Sequence, residues 1–167
     1  MQFYFDFISP FGYFASLRID ALAAKHGRQD EWRSMLLGVS VLEVMGMKPL
    51  METPLKGDDL RREFARDERR HGLALKRRVD GPGMDPRSSG RAFPWTLAHH
   101  CDPAKPLARA IFHSDWVAGA ELPTSESGTR LTPAGIDPDA LLAAIWGDES
   151  GRLLRAAVAQ SMQLGVF

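Results

Sequence analysis

Ser9 is the residue in this 167-residue chain whose type and surroundings point most directly to chemistry. It follows an aromatic and β-branched run, Gln2-Phe3-Tyr4-Phe5-Asp6-Phe7-Ile8, which reads as a buried strand. Pro10 comes next, and Phe11, Tyr13, Phe14, Leu17, Ile19 and Leu22 then continue at helical spacing. Serine at the N-cap with proline at the first helical position is a normal way to open a helix. The plain reading of Ser9 is therefore a cap. The functional reading is a hydrogen-bond donor to a bound thiolate, because a serine hydroxyl has no useful acidity near neutral pH and is no base without help. A free thiol has a pKa of about 8.5, and each unit of lowering requires about 1.4 kcal/mol. One charge-assisted hydrogen bond together with a helix N-terminus supplies on the order of 2–3 kcal/mol, enough to make a thiolate common at neutral pH.

Other reactive side chains carry weaker signals. Lys48 within and Lys56 just after a broken apolar stretch, Val39 to Leu55, could each hold a ligand carboxylate or stand as solvated surface. Met45, Met47 and Met51 in that stretch read as gap-filling core, or as the plastic wall of an apolar pocket. The arginines at 61, 62, 66, 69 and 70 alternate with Glu63, Asp67 and Glu68, the pattern of a salt-bridged exposed helix face rather than a phosphate site. His99-His100-Cys101 cannot share one helical face, and no second cluster has ligand spacing, so no metal site is expected.

Composition narrows the classes. Lys and Arg total 21 against 21 Asp and Glu, and this balance argues against a nucleic-acid or anionic-membrane surface. No apolar run approaches a membrane span, and no basic leader with a cleavage site precedes Gln2. Cys101 is the single cysteine, so intramolecular disulfides are impossible and a cytoplasmic location is expected.

The elements that must position Ser9 follow in order. A strand to Ile8, a helix from Pro10 to His26 and a strand from Glu31 to Leu37 form a βαβ unit with parallel strands. Ligands bind beyond the carboxyl ends of such strands, which makes Ser9 and the segment after Leu37 expected neighbours. Asp58 to His71 reads as a helix buried through Leu60 and Phe64, and Leu73 to Arg91 as a loop. Further helices are expected over Ala92 to His100, Pro106 to Gly119, Asp137 to Trp146 and Asp148 to Leu164, with a polar loop from Glu121 to Gly135. Gly165-Val166-Phe167 reads as the entry to another strand. Two strands alone are marginal, so helices must cover them, another chain must extend them, or part of the natural protein is missing.

The stretch Phe3-Tyr4-Phe5-Asp6-Phe7-Ile8-Ser9-Pro10-Phe11-Gly12-Tyr13 resembles the opening of the 2-hydroxychromene-2-carboxylate isomerases and the kappa-class glutathione transferases, within the DsbA-like thioredoxin group. Leu36-Leu37-Gly38, Gly46-Met47-Lys48-Pro49, Pro54-Leu55-Lys56-Gly57, Asp115-Trp116-Val117 and Gly165-Val166-Phe167 extend the resemblance. It implies an α/β class: a thioredoxin-like portion over residues 1–38 and 165–167, with a mainly helical insertion over 39–164. It implies glutathione as cofactor, Ser9 as the thiol-activating residue, Lys56 and Lys48 as glutathione contacts, and Phe11, Tyr13 and Met47 around a small aromatic substrate. It further implies a homodimer and an isomerase of an aromatic-degradation intermediate. A kappa-type transferase and a non-catalytic thioredoxin-like binding or assembly module are the alternatives. Oxidoreductase relatives carry Cys-x-x-Cys where this chain has Ser9-Pro10-Phe11-Gly12, which excludes disulfide exchange through this turn. Three departures stand out. Met47 replaces the family's usual Asn, Pro86-Arg87-Ser88 only loosely echoes a family Pro-Asn-Ser-like segment, and the family's C-terminal cis-proline strand region is expected to be missing from this chain.

Overall fold

The computed structural model describes residues 1–82, 84–120 and 131–166. Its sheet has two parallel strands, β1 (Gln2–Phe5) and β2 (Glu31–Ser34), in register Gln2 to Glu31 and Phe5 to Ser34. The expected parallel βαβ opening is present, but both strands are shorter than the apolar runs suggest. β1 stops where Asp6 turns its carboxylate onto backbone N–H groups, and β2 stops before Leu37.

The first helix is also divided. Helix α1 covers Pro10–Ser16 and α2 covers Ile19–Lys25, where one helix to His26 is expected from spacing. The Ser16 hydroxyl donates to the Tyr13 carbonyl at 2.6 Å. A serine bonded back into its own helix competes with the backbone ladder, and the chain kinks one residue later.

After β2 the backbone widens into a π-helical segment, Gly38–Val44, followed by a single 3₁₀ turn, Leu50–Glu52. Helix α3 is Lys56–His71, with acidic residues in its first turn, basic ones in its last and Gly72 as its left-handed cap. Helix α4 runs Pro86–His99, so it begins inside the stretch expected to be loop. Asp85 caps it by accepting the Arg87 N–H at 2.9 Å, and Pro86 holds the first position. Helix α5 spans Cys101–Phe112 and starts a turn earlier than Pro106, then widens into a second π-helical segment, His113–Ala118. Helices α6 (Pro138–Trp146) and α7 (Asp148–Gln163) complete the described chain. Most of the expected 121–135 loop lies outside the described residues, as does Phe167. Gly165 and Val166 cap α7 by donating to the Met162 and Ser161 carbonyls, where a strand entry is expected from sequence.

One hydrophobic core joins the strands to the helices. Phe5 meets Phe93 of α4 at 5.1 Å between ring centroids, and Phe7 meets Phe112 of α5 at 4.8 Å. Such tilted and edge-on ring pairs add about 0.5–1.5 kcal/mol each beyond area burial. Trp32 of β2, Tyr13, Phe14 and Phe64 belong to the same cluster. Four-residue strands are too short to stand alone, and this aromatic cover is what holds them. No helix among the described residues is long and apolar enough to cross a membrane.

Trp116, in the second π-helical segment, reaches back to the strand end. Its indole N–H donates to the Phe7 carbonyl at 3.0 Å within the core. Trp116→Phe leaves that buried carbonyl without its partner and is expected to cost about 1–3 kcal/mol of unfolding free energy. Urea denaturation checks this; a variant as stable as the parent would remove the anchoring role.

Candidate functional site

Three turns converge at the carboxyl end of β1: the Asp6–Ser9 turn, the first turn of α1 and the exit from β2. Asp6 is 2% exposed and links all three. Its Oδ2 accepts the Leu37 N–H at 2.7 Å and its Oδ1 accepts the Ile8 N–H at 3.2 Å. Its own carbonyl accepts the Ser9 N–H at 3.0 Å. Burial pushes the Asp6 carboxyl up to about 6, with the backbone N–H groups of Leu37, Ile8 and Phe7 pulling the other way. Ser9 and the segment after Leu37 are neighbours, as strand topology predicts, and the agent that joins them is Asp6.

Ser9 is half-buried and extended (φ −91°, ψ 116°), and its Oγ accepts the Gly12 N–H at 3.2 Å. The hydroxyl proton remains available to donate. The amides of the first turn are mostly used. Pro10 has none, Gly12 serves Ser9 Oγ, and Tyr13 donates to the Ser9 carbonyl at 3.1 Å. With α1 only seven residues long, the hydroxyl rather than the helix dipole is the main donor at this tip. Gly12 is required by closeness. A Cβ there would lie 3.2 Å from the Asp6 carbonyl oxygen and 3.5 Å from Phe112.

The remaining expected site residues are dispersed. Tyr13 is 3% exposed and stacks on Phe112 at 5.8 Å, deep in the core. Phe11 lines a cleft of ≈380 Å³ between α1, α2 and α3, with Phe14, Ile19, Arg18 and Arg70 around it. Ile8 lines a smaller one of ≈150 Å³ with Arg77, Val79, Pro82 and Trp116. Met47 and Lys48 lie in the exposed stretch after the first π-helical segment, and Lys56 is exposed at the start of α3. Among the described residues no hydrogen bond or ion pair joins Lys48 or Lys56 to Ser9. Lys56 stands two turns N-terminal to Phe64, the α3 ring that meets Phe14 at 6.0 Å between centroids.

Two features of this region were not read from sequence. Asp6, a lone carboxylate in an aromatic run, was itself the available signal, since a buried charge demands partners. Leu55 adopts φ 68° and ψ −41° while 85% exposed, a conformation that costs a non-glycine residue on the order of 1–3 kcal/mol. It immediately precedes Lys56, and no residue type around it announces the strain. The run Leu42, Val44, Met45, Met47, Leu50 and Leu55 is exposed, so Met45 and Met47 are not core filling, while Met51 is half-buried.

Comparison with known proteins places this geometry. The sequence matches the DSBA-like thioredoxin domain family over residues 1–167. A solved 2-hydroxychromene-2-carboxylate isomerase superposes with TM-score 0.77 at 20% identity, covering 99% of this chain and 80% of that one. A putative protein disulfide isomerase from Nitrosomonas europaea gives 0.71 at 12% identity, covering 99% and 79%. A probable DsbA oxidoreductase from Streptomyces coelicolor gives 0.67 at 16% identity, covering 99% and 75%. These likenesses establish the DsbA-like thioredoxin fold, mostly helical with few strands. No curated protein matches by sequence.

The raised Asp6 carboxyl makes a pH prediction. The folded state binds the Asp6 proton more tightly than the unfolded chain, whose value is near 3.8. Its stabilising contribution is therefore full below about pH 4 and is lost as pH rises through about 6. The loss is about 3 kcal/mol, from some two pH units at about 1.4 kcal/mol each. Urea denaturation of the parent and Asp6→Asn between pH 4 and 7 checks this. The parent should lose stability relative to the variant across that window, and parallel curves would contradict it.

Proposed function

We propose that this chain, which belongs to the DSBA-like thioredoxin domain family, is a glutathione-dependent isomerase of the 2-hydroxychromene-2-carboxylate type, acting on a small aromatic-degradation intermediate. The observation that carries the reading is Ser9: its Oγ is held by the Gly12 N–H, so its proton is left to donate beyond the turn. A thiol can be held there as its anion, whereas Ser9-Pro10-Phe11-Gly12 offers no sulfur of its own. The disulfide chemistry in the names of two structural neighbours therefore does not carry over to this turn.

The residues present fit a tripeptide thiol. Ser9 donates to the sulfur, and one charge-assisted hydrogen bond in a partly buried setting is worth about 1.5–3 kcal/mol. The Phe11 N–H, in the first turn where a helix offers its amides no acceptor, supports the same negative charge. Lys48 and Lys56 are exposed cations without an ion-pair partner among the described residues, available to the peptide carboxylates. Asp6 is a positioning residue: it fixes the turn that aims Ser9 and touches no ligand. Glutathione supplies a sulfur nucleophile that is regenerated when the isomerised product leaves. The protein's own part is to keep that sulfur deprotonated and to seat the substrate beside it.

Two substitutions separate this role from capping. Ser9→Ala removes cap and donor together; Ser9→Asp keeps a capping acceptor and removes the donor. Thiolate absorbance titration of protein-bound glutathione is the readout. The parent should lower the thiol pKa by about one to two units from about 8.5. Ser9→Asp should fold as the parent does and fail to lower it. No glutathione binding by the parent, or equal lowering in Ser9→Asp, would overturn the proposal.

A further inference from the structure

Besides the Ser9 turn, another cleft combines an aliphatic floor with converging positive charge. It lies where the exit of β2 meets α4 and α7, encloses ≈320 Å³, and is floored by Leu36, Val39, Leu154, Val158 and Met162. That volume falls within the range of small-molecule sites. Arg87, Arg91 and Arg155 form its rim.

Gly151, buried near the start of α7, sits between two of these guanidinium groups. A Cβ at Gly151 would lie 3.4 Å from Nη1 of Arg155 and 3.5 Å from Nη2 of Arg91. Two like charges over one glycine repel each other unless an anion joins them. Of the neighbouring carboxylates, Asp85 forks onto Arg87 on the rim itself and acts on Arg91 only at a distance, and Glu149 pairs with His99, so Arg91 and Arg155 have no bonded carboxylate among the described residues. Arg91 uses Nη1 on the Ile145 carbonyl at 3.1 Å, and Arg155 has no partner among the described residues. Close crossing of α4 and α7 already has its own small residue, Gly90, whose Cβ position meets Leu154 and Leu36 at 3.4 and 3.5 Å. Arg155 reaches this point from one turn further along α7 and Arg91 from α4, so two guanidiniums approach one spot across the helix crossing.

We propose that this cleft binds an aliphatic carboxylate, its headgroup between Arg91 and Arg155 and its chain along the floor. The planar forks of two arginines match a carboxylate's oxygens. The floor holds only aliphatic and thioether side chains, which suit an alkyl chain rather than a stacked ring. Ser9 is not among the residues that line this cleft, and the proposal does not depend on the glutathione reading.

Isothermal titration of the 167-residue chain with decanoate, below its micelle concentration, tests this. Decanol probes the tail alone and inorganic phosphate the charge alone. The parent should bind decanoate saturably at one site, and both control probes at least about tenfold more weakly. Arg155→Ala, a change at an exposed position, should weaken decanoate about tenfold with an unaltered thermal melt. Met162→Glu places a carboxylate on the partly exposed floor and should abolish binding. Ser9→Ala should bind decanoate as the parent does, which separates failure here from failure at the Ser9 turn. Absence of saturable binding, phosphate binding as tight as decanoate, or parent-like affinity in both Arg155→Ala and Met162→Glu would overturn the proposal.

Discussion

A single buried carboxylate holds the working end of this molecule together. Asp6 ends β1, accepts the N–H that leaves β2 at Leu37, and accepts the N–H of Ile8 within its own turn. Removing a carboxylate from water is expensive, and burial raises its pKa to about 6 against the pull of its backbone donors. In return the ends of two four-residue strands are locked side by side, and the Asp6 carbonyl fixes the Ser9 amide at 3.0 Å. Ser9 then caps α1, and Gly12 lets that helix settle onto the same carbonyl.

The helices serve the same end. Phe5 at the end of β1 and Phe7 just past it pack into rings supplied by α4 and α5, and Trp116 takes up the Phe7 carbonyl next to Asp6. The turn is thus braced from both sides: by hydrogen bonds at the strand ends and by aromatic packing beneath. Both π-helical segments lie beside it, one leaving β2 and one carrying Trp116. Widened helical turns of this kind recur at functional sites because they re-aim side chains.

The parallel βαβ opening was legible because strand periodicity, a Ser-Pro cap and a closing glycine agree with one another. The start of α4 was not, although Asp85-Pro86 is the same kind of signal that opens α1 at Ser9-Pro10 and α6 at Asp137-Pro138. Gly81, Pro82 and the Ser88-Ser89-Gly90 run point to a loop instead, yet Ser88, Ser89 and Gly90 are buried, with Gly90 against α7. The kink at Leu17 depends on which carbonyl the Ser16 hydroxyl chooses, and spacing does not encode that. Asp6 with Leu37, and Arg91 with Arg155, are meetings between residues far apart in the chain. Their types could be noted in advance, but their partners could not. Leu55 is the extreme case, since its strained backbone leaves no trace in residue type.

The site follows from this architecture: a hydroxyl that keeps its proton free, held by a turn that a buried acid fixes in place. The most direct test is an NMR titration of the Asp6 side-chain carboxyl carbon, with the Ser9 and Leu37 amides followed in the same samples. A midpoint near pH 6 for the carboxyl, with coincident shifts of both amides, is the expected result. A midpoint near 4, or amides that ignore the titration, would show that Asp6 does not hold the turn.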